Sequence, residues 1–237
     1  MITFRKVNLA FGDTVVLQDF SADFQSHKIH CILGPSGCGK TTLLNLLSGT
    51  LLQDSGEISK PQNVSYVFQE DLLIPQKTAR QNLELVLKSA YKDKARLHAV
   101  IAQFLQLTGL ESAKDLYPHE LSGGMRQRLA LIRAFAYPSD ILLMDEPFKA
   151  LDKTRRESLI KSFLSLYNAD KRTVLFVTHS IDEALLTGDV IYVYSDKPMT
   201  LQKSFTVDEP PEMRKLYGES LTKLKNEIYK ETEKWAT

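Results

Sequence analysis

Two hydrophobic rhythms alternate along this chain. Near the N-terminus, Phe20, Ala22 and Phe24 are separated by polar residues, the period-2 pattern of a half-buried strand. Gly12-Asp13 marks a hairpin turn after Phe11, so residues 2–33 read as β structure with Phe11 at a sheet edge. Further on, mainly apolar segments at 29–33, 64–68, 173–177 and 189–194 read as strands, and 141–144 is a continuous apolar run, the composition of a strand buried on both faces. Helical spacing fills the intervals. It covers 40–48 with Gly49 as C-cap, then 78–90 and 93–108, where Leu97, Val100, Ile101, Phe104 and Leu105 recur before Gly109. Three more helices are predicted, over 122–137, from Asp152 onward, and over 180–187; Asp54-Ser55-Gly56 reads as a turn.

Strands alternating with helices predict an α/β fold with a mainly parallel sheet, covered on both faces and joined by right-handed crossovers. The helices from about 78 to 137 interrupt that alternation, as an inserted helical subdomain within a domain spanning 1–209. In the tail, 210–237, Met213, Tyr217, Leu221, Leu224 and Ile228 form one apolar stripe. A helix packed on its own domain is the expectation there, in preference to one that binds a partner. Ligands of such a sheet gather at the C-terminal ends of its strands. Gly34, Gln69, Asp145 and His179 each stand just after a predicted strand.

Composition narrows the picture from outside. A formal net charge of +1 provides no electrostatic case for nucleic acid. The apolar runs are too short to cross a bilayer, and the first residues show no apolar segment of a signal peptide. Cys31 and Cys38 flank a glycine-rich turn and read as reduced thiols, since a disulfide there would distort it.

That turn carries the chemistry. Gly34-Pro35-Ser36-Gly37-Cys38-Gly39-Lys40-Thr41-Thr42 has the full spacing of a phosphate-binding loop, between a strand and a helix. Glycines let several N–H groups point into one hollow, the helix adds its positive end, and the Lys40 ammonium reaches the outer phosphates. Thr41 can ligate Mg²⁺. Asp145, ending an apolar strand, suits a direct or water-mediated Mg²⁺ contact. Glu146 beside it can polarise an attacking water as general base. His179 either orients that water, contacts the γ-phosphate or is structural. Gln69 either touches metal and water or is a solvent-facing loop residue. Phe11 either stacks on a purine or belongs to the core. Ser122-Gly123-Gly124 opens a helix and forms a second anion-binding end. One nucleotide needs only one clamp from each side, so two chains arranged head to tail, each lending its serine end to the other, are the economical solution.

Residues 34–41, Gln69, Leu121-Ser122-Gly123-Gly124-Met125-Arg126-Gln127-Arg128, 141–147, Ala150-Leu151-Asp152 and His179 stand in an order and spacing that resembles the ATP-binding subunit of an ABC transporter. The resemblance covers about residues 2–205. It implies a P-loop ATPase core with an antiparallel N-terminal β subdomain, and ATP with Mg²⁺ as cofactors. It further implies that Phe11 stacks on adenine, with Val16 in the same nucleotide site, and that Gln69 couples the metal to the transporter. Glu146 would activate water and His179 would hold the γ-phosphate. Ser122, Gly123, Gly124 and Met125 would close on the ATP of a second copy, with Asp152 near the contact.

Within that family the Gly-Cys-Gly loop, Val67-Phe68-Gln69-Glu70, Met125 and the 146–152 run resemble importer subunits of the nitrate, sulfonate and taurine type, a group that also takes vitamin precursors. The implied partners are a transmembrane permease, touched through the loop 69–77, and indirectly a solute-binding protein, with the chain at the cytoplasmic face of the membrane. Two positions depart from the group: Lys149 replaces a usual glycine, and Ile74-Pro75-Gln76 a usual leucine-proline-tryptophan. The competing readings are a soluble ABC ATPase of the cluster-assembly type and a nucleotide-binding module with little catalysis.

Overall fold

The computed structural model describes residues 1–149 and 151–236; Ala150 and the final residue of the tail expected at 210–237 lie outside the described residues. A hairpin opens the chain, β1 (Ile2–Phe11) and β2 (Thr14–Phe24), followed by β3 (Ile29–Leu33) and α1 (Lys40–Ser48). Then come β4 (Ser55–Ser59), β5 (Val64–Val67), α2 (Ala79–Leu87), α3 (Lys94–Leu107) and α4 (Gly123–Ala136). The rest is β6 (Ile141–Asp145), α5 (Lys153–Ala169), β7 (Thr173–Thr178), α6 (Ile181–Thr187), β8 (Val190–Tyr194), β9 (Leu201–Thr206) and α7 (Glu219–Thr232).

Two sheets result, in the strand orders β2-β1-β4 and β5-β6-β7-β3-β8-β9. The first is antiparallel. The second is parallel from β5 to β8, with β9 added antiparallel. Its central strands divide their side chains between two cores, as their period of two requires. Ile141, Leu143, Leu175, Val177 and Ile32 face α1 and the antiparallel sheet, where Phe4, Leu17, Phe20 and Phe24 meet them. Leu142, Met144, Val174, Phe176, Cys31 and Leu33 face the helices on the other side. The apolar runs are continuous because neither face of these strands sees water.

Thr78, Asp93, Ser122 and Asp152, expected as the first residues of their helices, each stand one position before the helix as its N-cap. Thr78 and Gln81 form a capping box at α2, and Asp93, Ser122 and Asp152 cap α3, α4 and α5 through their side chains. Two buried arginines do the same work at C-termini. Arg172 donates to the carbonyls of Phe135 and Tyr137, both at 3.0 Å, where α4 ends, and also pairs with Asp170. Arg214 donates to Gly188 (2.8 Å) and Leu185 (3.3 Å) at the end of α6, and to Glu209 (2.7 Å).

Several expectations are corrected. Ser55-Gly56 begins strand β4 rather than ending a turn, and β9 is a further strand that no apolar run announces. Phe11 ends the middle strand of its sheet, not an edge strand. β5 lies at an edge, half-buried, and Phe68 beyond it is exposed and stacks on Tyr66 with centroids 4.3 Å apart. In the tail, Met213 and Tyr217 precede α7 and are exposed; only Leu221, Leu224 and Ile228 of the stripe pack against the core. The helix lies on its own chain, and Lys225 pairs with Asp182 of α6 at 2.6 Å. Cys31 and Cys38 are free thiols.

Because Arg214 alone satisfies several buried carbonyls, Arg214→Met should lower the unfolding free energy by about 2–4 kcal/mol. Urea denaturation of the two proteins measures it; a change below about 0.5 kcal/mol, typical of a surface position, would show that water replaces the guanidinium.

Candidate nucleotide site

The ends of β3 and β6 lie on either side of β7 in the parallel register Leu33↔Thr178 and Asp145↔Val177. This brings the loop after β3, the acidic pair at the end of β6 and the segment after β7 to one rim of the sheet. A cavity of about 330 Å³ opens there, lined by Phe11, Val16, Ser36, Gly37, Gly39, Lys40, Thr41, Thr42, Gln69, Asp145, Glu146, Lys149 and Lys197.

The loop is shaped by glycines at two decisive points. Gly37 has φ +84° and Gly39 φ +117°, and a Cβ on Gly39 would stand 2.7 Å from Cγ1 of Val16. With Gly39 as N-cap, α1 begins at Lys40 and directs its free N–H groups toward the cavity. Lys40 is buried, and its ammonium donates to the carbonyls of Gly34 (2.9 Å) and Pro35 (2.8 Å). The cation is thus held at the cavity by its own loop.

Asp145 is hydrogen-bonded by Thr41 and, at 3.4 Å, by the Tyr66 hydroxyl. Burial, opposed by the Thr41 hydrogen bond, raises its carboxyl above the usual carboxylate range, with Glu146 adding to the rise. Glu146 sits at φ +44°, a left-handed conformation rare for glutamate. A tight turn enforces it: the Glu146 N–H donates to the Val177 carbonyl at 3.0 Å, and the Lys149 N–H donates to the Glu146 carbonyl at 3.1 Å. Such strain clusters at functional sites. The carboxylate is then held from both sides. Oε2 pairs with the Lys149 ammonium at 2.6 Å, and Oε1 lies 3.3 Å from Nδ1 of His179. Burial would raise its pKa, but the hydrogen bonds from Lys149 and His179 leave it below the usual range.

Not every expected residue enters the cavity. Gly34, Pro35 and Cys38 form its backing, behind the lining residues. His179 borders an adjoining cavity and touches this one through Glu146. Ser122, Gly123, Gly124 and Met125 at the start of α4, and Asp152 at the start of α5, do not line it. Within one chain the Asp152 carboxylate accepts from the Arg155 N–H (2.9 Å) and pairs with its guanidinium (3.1 Å). Lys149, Lys197 and Tyr66 are additions. Lys149 lies three residues after Glu146, a proximity visible in sequence, whereas nothing in sequence points Lys197 here.

The loop after Gln69 is tied down on both sides. Arg133 of α4 donates to the carbonyls of Leu72 and Asp71, both at 2.8 Å, and Arg126 pairs with Asp71 at 3.0 Å. Asn82 of α2 bonds both the N–H and the carbonyl of Ile74.

With this geometry in place, the comparisons are direct. The ABC transporter family profile matches residues 17–149. The chain is 39% identical over 207 residues to a taurine import ATP-binding protein of Rhizobium johnstonii, covering 84% of this chain and 79% of that protein. It is 36% identical over 219 residues to a formylaminopyrimidine import ATP-binding protein of Halalkalibacterium halodurans, covering 91% and 87%. Among solved structures, the dimeric post-hydrolysis state of an ATP-binding cassette bound to ADP and Pi superposes with TM-score 0.74 at 27% identity, over 89% of this chain and all of that one. The chain belongs to the ABC transporter family, and its fold is that of the ABC ATPase cassette.

Gly39→Ala should cost about 1–3 kcal/mol of stability, through its φ and its approach to Val16. Adding Val16→Ala should recover the contact part of that loss and leave the φ part. Thermal or chemical unfolding of the single and double variants separates the two.

Proposed function

We propose that this chain is the ATP-binding and ATP-hydrolysing subunit that energises an ABC importer of a small solute of the sulfonate, nitrate, taurine or vitamin-precursor type. One observation carries the catalytic part: a single cavity collects the buried Lys40, the Thr41–Asp145 pair, Gln69 and a backbone-constrained Glu146. The phosphates would lie against the N–H groups of the 34–41 loop and the Lys40 ammonium, which exchanges its carbonyl partners for them. Phe11, half-exposed at the cavity mouth beside Val16, offers an aromatic face to the adenine.

Thr41, Asp145 and Gln69 suit Mg²⁺, because they present hard oxygen donors at one cavity. Among the described residues no cluster of three or more His, Cys, Asp or Glu could hold a metal by itself, as expected for an ion that takes the rest of its ligands from phosphate and water. Thr41, Asp145 and Gln69 would hold the ion, which would supply charge neutralisation for the transferred phosphoryl group. Glu146 accepts the proton of the attacking water, while His179, bonded to the same carboxylate, keeps it oriented toward the γ-phosphate.

Ser122, Gly123, Gly124 and Met125 form a helix start outside the cavity of their own chain, where the Met125 N–H donates to the Ser122 hydroxyl. Serving the nucleotide of a second copy gives them a ligand, and the dimeric cassette structure supports that arrangement. Asp152 lies near the resulting contact. Transmission to a permease would run through the loop 69–77, where exposed Phe68 and Leu72 flank Gln69 and two arginines fasten the loop to α4. No helix among the described residues is long and apolar enough to cross a membrane, so a separate protein supplies the path. The permease places this subunit on the cytoplasmic face and connects it to the solute-binding protein. The boundaries 1–209 and 210–237, with helices inserted over about 78–137, are part of the same proposal.

Glu146→Gln should bind ATP and hydrolyse it about 10²–10⁴-fold more slowly, measured as phosphate release in Mg²⁺. Wild-type turnover in that variant would remove Glu146 from its role. Co-purification of a polytopic membrane protein supports the importer; a soluble scaffold as main partner would replace it with the cluster-assembly type.

A further inference from the structure

Lys149 is not required by the chemistry above, yet it is the residue in closest contact with Glu146. Its ammonium lies 2.6 Å from Oε2, in the same cavity as Lys40, Thr41, Gln69 and Asp145. The two partners differ in freedom. The Glu146 side chain is 14% exposed and fastened at its backbone and by His179, while that of Lys149 is 43% exposed. Lys149 also borders the adjoining cavity of about 430 Å³, shared with His179, Arg156 and Trp235. The ammonium therefore stands between two open spaces at the end of a flexible stem.

We propose that Lys149 is a movable counter-ion: it neutralises Glu146 while the nucleotide site is empty and turns to the terminal phosphate of a bound nucleoside triphosphate. This rests on the ATPase reading and adds to it a residue that senses the third phosphate.

Three physical points support the exchange. The lysine end of the pair is open to solvent, where screening weakens an ion pair, so the contact does not lock the ammonium in place. A triphosphate brings several negative charges into a cavity where the carboxylates of Glu146, in contact, and Asp145, farther off, attract this lysine, and a point charge with three donors can follow them without rearranging the backbone. Glu146 keeps its orientation after the lysine leaves, because the Val177 carbonyl and His179 still hold it. Its Oε2 is then free to accept a proton from water, so that one movement both recognises the phosphate and releases the base. Lys40 does not play this part: its ammonium is bonded to the carbonyls of Gly34 and Pro35, and the ion pair with Glu146 is made by Lys149.

The test is nucleotide affinity in EDTA, where ATP and ADP can be compared without metal or turnover. Binding is read by displacement of a fluorescent nucleotide from the full chain, for wild type, Lys149→Met and Lys149→Arg, each also in the Glu146→Gln background. Lys149→Met should weaken ATP by about 5–10-fold, less than a fully buried charged hydrogen bond would cost, and change ADP less than about twofold; Lys149→Arg should keep most of the ATP preference. Glu146→Gln alone should strengthen ATP, and the cost of Lys149→Met should grow in that background, because the carboxylate no longer competes. Equal effects on ATP and ADP, or none, would overturn the proposal and leave Lys149 as an anchor for Glu146. Wild type that binds neither nucleotide would overturn the ATPase reading and this inference together.

Discussion

The site depends on one constraint, the parallel register of β6, β7 and β3. These strands are buried on both faces, so a slip of one residue would turn every apolar side chain toward the wrong core. That penalty sets where each strand stops. The stops place the phosphate loop, the acidic pair and the segment carrying His179 on one rim. Catalytic geometry is here a by-product of core packing, and the antiparallel sheet and the helices serve it by sealing the two faces.

Beyond the rim, rigid and mobile parts divide cleanly. The glycine turn, the bonded Lys40 and the strained Glu146 are over-determined by backbone contacts. Lys149 and the exposed Gln69 are not. A site that must accept a triphosphate and then let its products go needs both: groups fixed in advance where charge develops, and groups that respond to what is bound. The arginines that fasten the loop after Gln69 to α4 connect that loop to the helix that starts at Ser122, so any displacement of one element loads the other. That continuity would give the proposed dimer closure a physical route to the proposed permease.

The C-terminal helix has a quieter part. Its stripe packs on the chain itself, and Lys225 joins it to α6, directly after His179. It is an additional wall of the domain, close to the segment that carries His179, and not a free amphipathic face.

Periodicity, glycine punctuation and motif spacing by themselves determined the alternation of elements, the glycine-rich loop, the helix starts near Thr78, Asp93, Ser122 and Asp152, and the strand ends at Gly34, Gln69, Asp145 and His179. These are local signals, written within a turn or a strand of the residues concerned. Tertiary structure decided the rest. β4 and β9 are mostly exposed edge strands whose pairing is made by distant partners, so no apolar run announces them. Phe11 lies at the end of a middle strand because β4 returns to pair with β1. Lys197 reaches the cavity from the β8–β9 connection, across the sheet from the residues it joins. The contact of Lys149 with Glu146 arises from a turn at positive φ, and that turn exists only because β7 supplies the carbonyl that closes it.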